Sequence, residues 1–151
     1  MHLEVSCVAK ASLEKAYSTY TDFESMPKWW APLSSVRIIK REGDTIHLEI
    51  EGTSGGKSRK VARAVRLTPP DRVESDSEAR FTRTKRTVIF EGVPEGTKIT
   101  AKLDVQVKGA WAGILAPRGR EEIESSAMEE LVSFSRYVES SPDEETDRSP
   151  I

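Results

Sequence analysis

The sequence predicts an α+β domain: one strand, two short helices, six antiparallel strands in a row, and a single long C-terminal helix. Three observations carry this. Apolar and polar residues alternate through most of the stretch from Ser34 to Val107. Ahead of it, helix signals are confined to a short region opened by Ser12. After Gly109 the apolar period lengthens to three and four residues. At 151 residues the chain suits one domain, placed at residues 1–140, with an acidic tail at 141–151 that has little to bury and is expected to be disordered.

In "HLEVSCVAKA" Leu3, Val5, Cys7 and Ala9 alternate with Glu4, Ser6 and Lys10, the pattern of a half-buried strand. Ser12 caps the helix that follows, although Lys15 stands where a full capping box has Glu. Ala16, Tyr20 and Phe23 form its apolar stripe, with Tyr17 beside it. Asp22 can cap a second short turn in "DFESMPKWWAPL", where Pro27 and Pro32 bracket Trp29 and Trp30. Adjacent helical residues point about 100° apart, so one core face does not easily take both rings. The pair either closes a cavity or makes an exposed patch.

"SSVRIIKRE" and "TIHLEIEG" form a hairpin across Gly43-Asp44, with Ile46, Leu48 and Ile50 on one face. "GTSGG" reads as a flexible turn into "KSRKVARAVRLT", where Val61, Val65 and Leu67 share a parity. Pro69-Pro70-Asp71 ends that strand. "RVESDSEARF" and "TKRTVIFEG" are further strands, and "PEGT" turns into "KITAKLDVQV". "GAWAGILAPRG" leads in to a helix from Arg120 to about Ser140, with Ile123, Ala127, Leu131, Phe134 and Val138 on its apolar stripe. One helix cannot cover the concave face of a strongly curved seven-stranded sheet. Space remains between them, and the tryptophan segment is positioned as its lid.

Composition narrows the functions. The net charge of −2 gives no global attraction to nucleic acid or an anionic membrane. Residues 57–86 are basic and residues 121–147 acidic, which is simplest as attraction between basic strands and an acidic helix. A lone cysteine, Cys7, builds no internal disulfide and suits a reducing compartment. No run approaches the ~18 apolar residues of a membrane span, and no signal peptide is visible. A soluble cytoplasmic protein is expected, with no nucleic-acid partner or membrane insertion, as a monomer or weak homodimer. His2, His47 and Cys7 cannot build a three-ligand zinc site, and "GTSGG" lacks the context of a phosphate loop. No metal or cofactor is expected, and no catalytic residue is identified.

The order of these pieces resembles the SRPBCC superfamily, the helix-grip fold of START lipid-transfer domains, birch-pollen-allergen-like proteins and polyketide cyclases. The likeness spans roughly residues 1–140. It is carried by the opening strand, "SLEKAYSTYTDFESMPKWW", the Pro-Pro turn in "LTPPDRVES", "EGTKITAKLDV" and the closing helix. It implies an apolar cavity between sheet and long helix that holds a hydrophobic or amphipathic ligand. No catalytic residue is implied, because the superfamily's enzymes share no single signature.

Trp29, Trp30 and Trp111 are candidate cavity walls; the alternative is ordinary packing, since each ring can bury about 150–250 Å². Tyr20 and Met26 are placed with them. Parity sets Arg63 with Val61, Val65 and Leu67, and Arg86 with Val88 and Phe90. If those faces point inward, each guanidinium needs an anion: a ligand carboxylate or phosphate, or Glu49, Asp76 or Glu78, unless the strand end is simply wet. Ser77, with Ser75, adds hydroxyls on the matching parity.

The expected function is a small-molecule binding protein enclosing a lipid-like or polycyclic ligand, with a cavity on the order of several hundred Å³. The alternatives are a polyketide cyclase or dehydratase-like enzyme using that cavity, and a protein-interaction module presenting exposed tryptophans.

Overall fold

The computed structural model describes residues 1–54, 56–79, 82–109 and 112–141, with the backbone alone at residues 54 and 112–118. The order of elements is β1 (His2–Ala9), α1 (Leu13–Tyr20), a 3₁₀ helix (Phe23–Lys28), β2 (Leu33–Glu42), β3 (Thr45–Ser54), β4 (Lys57–Thr68), β5 (Arg72–Glu78), β6 (Thr82–Val93), β7 (Gly96–Val107) and α2 (Ala112–Ser140). The strands form one seven-stranded antiparallel sheet in the order β1-β7-β6-β5-β4-β3-β2. The meander β2 to β7 is thus completed by the first strand, with Leu3 opposite Leu103 and Val5 opposite Ala101.

Alternation puts one apolar face on this sheet, and α2 covers its β1–β7 side. Phe134 and Val138 of α2 are fully buried, as are Ile99 of β7 and Ala9 of β1. The helix packs chiefly on β1 and β7, at one side of the sheet, and touches α1. Ser12 caps α1 as the sequence suggests, its Oγ accepting from the Lys15 amide at 3.1 Å. Asp22 opens the 3₁₀ helix without a side-chain cap; its carboxylate instead accepts from the Ser25 hydroxyl at 2.7 Å.

Two boundaries differ from the sequence reading. β3 runs on to Ser54, so "GTS" is strand rather than turn. Gly52 is there for close approach: a Cβ on it would lie 2.7 Å from the Pro32 carbonyl, which accepts from the Thr53 amide at 2.9 Å. α2 begins at Ala112 rather than Arg120 and takes Pro117 within its early turns. The acidic tail from residue 142 lies outside the described residues.

The charge segregation also resolves differently. The basic strands mostly pair within the sheet, as Arg66–Glu74 at 3.0 Å and Arg83–Asp76 at 2.9 Å. Among the described residues, the ion pair that joins strands 57–86 to α2 is Arg86–Glu130.

Candidate ligand-binding site

An aromatic cluster fills the space between the sheet and the C-terminal half of α2. Tyr20 packs on Phe90 and Phe134 with ring centres 5.4 and 5.3 Å apart, both edge-to-face. Trp29 meets Phe134 at 5.1 Å and Tyr20 at 6.2 Å. The tryptophan segment is tied to α2 by the Ser133 hydroxyl, which donates to the Trp29 carbonyl at 2.6 Å. Trp29 therefore enters the core, whereas Trp30, on the next residue, is half-buried at its edge.

Beyond the cluster, the concave face opens into a cavity of ≈ 280 Å³. Pro32 and Leu33 close one side, Ile50 and Val61 supply apolar wall, and Arg63 and Ser77 face in from β4 and β5. Of the residues singled out from the sequence, Arg63 and Ser77 line this space. Tyr20, Met26, Trp29 and Phe90 lie in the packed core beside it, Trp30 lies off its wall, and Trp111 falls outside the described residues. Two hollows of ≈ 400 Å³ on the opposite, convex face lie over Ala62 and Ala64 and are walled by charged side chains such as Arg66, Asp76 and Arg83. They have the character of gaps between surface ion pairs.

Register aligns the polar groups of the concave face. Leu48, Arg63, Ser77 and Thr84 are successive partners across β3 to β6, and Ser75 pairs with Arg86 on a neighbouring rung. Arg86 binds Glu130 of α2, Nη1 to Oε2 at 2.6 Å, with the two side chains 15% and 9% exposed. Burial pulls the Arg86 guanidinium down, but Glu130 and the adjacent Tyr20 hydroxyl more than offset it and hold it above its ordinary value. Burial pushes the Tyr20 phenol up. Burial, and then the nearby charge of Arg86, pull Arg63 down.

The candidate sheet carboxylates are engaged elsewhere. Glu49 binds Arg37 at 2.6 Å, Asp76 binds Arg83, and Glu78 binds Lys108 at 2.6 Å. The acid that reaches the arginines is Glu130, which the sequence reading missed. Its signal was helical phase: Glu130 follows Ala127 by three residues and precedes Phe134 by four, so it lies on the buried stripe. Among the described residues, Arg63 has no ion-pair partner and its buried Nε has no hydrogen-bond partner.

The other polar candidates lie apart from this site. His47 is half-buried, its Nε2 3.8 Å from Glu42. Cys7 packs against α2 with its Sγ 3.0 Å from the Ser135 hydroxyl, and burial pushes its thiol up. No three metal-binding side chains cluster among the described residues, and no helix among them is long and apolar enough to cross a membrane.

Residues 9–124 match the family model for polyketide cyclase / dehydrase and lipid transport. The chain belongs to this family. Solved structures agree with the family's fold. The Zhui aromatase/cyclase from Streptomyces superposes with a TM-score of 0.82 at 14% identity, over 92% of this chain and 93% of that one. TTHA0849 from Thermus thermophilus gives 0.80 at 18% identity, over 91% and 97%. A START superfamily protein from Mycobacterium smegmatis gives 0.62 at 19% identity, over 87% and 97%. At these identities the likeness establishes the helix-grip fold itself. No curated protein matches the sequence.

Proposed function

We propose that the protein binds a small hydrophobic or amphipathic molecule in the cavity on the concave sheet face, bounded by β3 to β6 and the Pro32–Leu33 segment. The observation that carries this reading is the ≈ 280 Å³ space walled by Pro32, Leu33, Ile50 and Val61. Apolar surface buried there contributes about 25 cal/mol per Å² to binding, and an arginine on the same wall orients a polar end. A family described by cyclase, dehydrase and lipid-transport members is consistent with a fold that encloses such ligands. The carboxylates of β3 and β5 that a proton-transfer reaction would draw on are held in ion pairs on the convex face, which supports binding over catalysis.

Filling the cavity tests this. Val61→Trp is expected to abolish uptake of the neutral hydrophobic fluorophore Nile red while leaving the thermal midpoint near that of the parent. Undiminished uptake by a folded Val61→Trp protein would mean that the dye, and the proposed ligand class, bind elsewhere.

A further inference from the structure

Resting on that cavity as the binding site, we infer that its ligand is an amphipathic carboxylic acid whose carboxylate docks on Arg63. Arg63 and Arg86 share the concave face, and Glu130 is committed to Arg86. One guanidinium is left without a counterion among the described residues, with its Nε buried and unpaired. An arginine stays charged at any physiological pH, so this arrangement bears a standing desolvation cost.

The surroundings match one incoming anion. Arg63, Ser77 and Thr84 occupy one rung of the sheet and all face the cavity. Among the described residues, neither the Ser77 nor the Thr84 hydroxyl has a hydrogen-bond partner. A planar guanidinium flanked by these two hydroxyls is a donor set suited to a carboxylate, which accepts short charge-assisted bonds from such groups. Arg59, exposed on the cavity wall, adds to the field drawing in an anion. The rest of the lining is apolar: Leu33, Ile50 and Val61 receive a hydrocarbon body. The one buried guanidinium without a counterion is neutralised by a monoanion, whereas a phosphate monoester brings a second charge that only the exposed Arg59 is there to meet.

Isothermal titration of decanoate, decanol, decyl phosphate and decyltrimethylammonium into the protein, with Nile red displacement alongside, tests the inference. Decanoate is expected to bind about tenfold or more tightly than decanol, the gain of a hydrogen bond to a charged group. The cationic analogue is expected to bind weakest. In Arg63→Met, which keeps the side-chain bulk, the preference for decanoate over decanol disappears while decanol binds as before. Equal affinities for decanoate and decanol in the parent protein overturn the assignment of an acid while leaving the hydrophobic site standing. A tenfold preference for decyl phosphate overturns the assignment to a carboxylate. Failure of all four compounds and of Nile red to bind removes the proposed function, and this inference with it. The parent comparison decides the matter even if Arg63→Met does not fold.

Discussion

Glu130 illustrates how much one side chain can hold. It reaches from α2 to the sheet and faces two guanidinium groups that would otherwise share a low-dielectric space. Glu130→Ala leaves Arg86 uncompensated as well, beside Arg63. The expected result is a loss of about 3–5 kcal/mol in urea-unfolding stability, the cost of breaking a buried pair from one side. Asp76→Ala, at an exposed pair, is expected to leave the midpoint almost unmoved. Similar midpoints for the two variants would show that Glu130 is well hydrated. At this scale the arginines were legible and their partner was not. Period-two parity alone brings Arg63 and Arg86 to the apolar face, because a side chain on a strand can point only two ways. Which acid meets them depends on how α2 lies across the sheet, and alternation carries no information about that.

The tryptophan segment is the element whose conformation matters most to the cavity. Its 3₁₀ geometry sends Trp29 into the core and leaves Trp30 at the edge, while Pro32 and Leu33, just beyond, form the cavity side. The Trp29 and Trp30 amides both donate to the Met26 carbonyl, at 3.1 and 2.9 Å, and Ser133 fastens the turn to α2. Ser133→Ala removes that fastening, worth about 0.5–1.5 kcal/mol for one hydrogen bond. Hydrogen exchange at the Trp29 and Trp30 amides is therefore expected to quicken severalfold while the β6–β7 ladder keeps its protection. Unchanged exchange at both tryptophans would show that packing of the Trp29 ring alone holds the turn. The strands were legible as elements, since each kept its alternation. The differences fall at glycines. Gly52 resembles a turn residue in a string of letters but serves to let the Pro32 backbone pass, and α2 starts earlier than the sequence suggests because the glycines of "GAWAGILAPRG" resemble a lead-in rather than a first turn. Both depend on which chain segments come close in space.

Across the whole molecule, α2 lies to one side of its sheet, on β1 and β7, and the aromatic cluster fills the centre between them. The cavity is what remains toward β3, β4 and β5. Tyr20 sits where α1, β6 and α2 converge, facing Arg86, Arg63 and Glu130, and its 5% exposure leaves little room for a hydrated phenolate. Burial raises the Tyr20 phenol above its ordinary value, and burial together with Asp71 does the same for Tyr17, whose hydroxyl donates to the Arg72 carbonyl at 3.0 Å. A group whose folded pKa is raised favours the folded state fully below its unfolded pKa, about 10 for tyrosine. That contribution is then lost as pH rises through the folded value, because the unfolded chain releases the proton first. Stability is thus expected to decline steeply above roughly pH 10, at the point where the three layers meet. Tyr17→Phe/Tyr20→Phe removes both ionisable groups while keeping the rings, so its urea midpoint is expected to fall less steeply than the parent's over the same alkaline range. Parallel declines would assign the alkaline limit to lysine deprotonation at the surface instead.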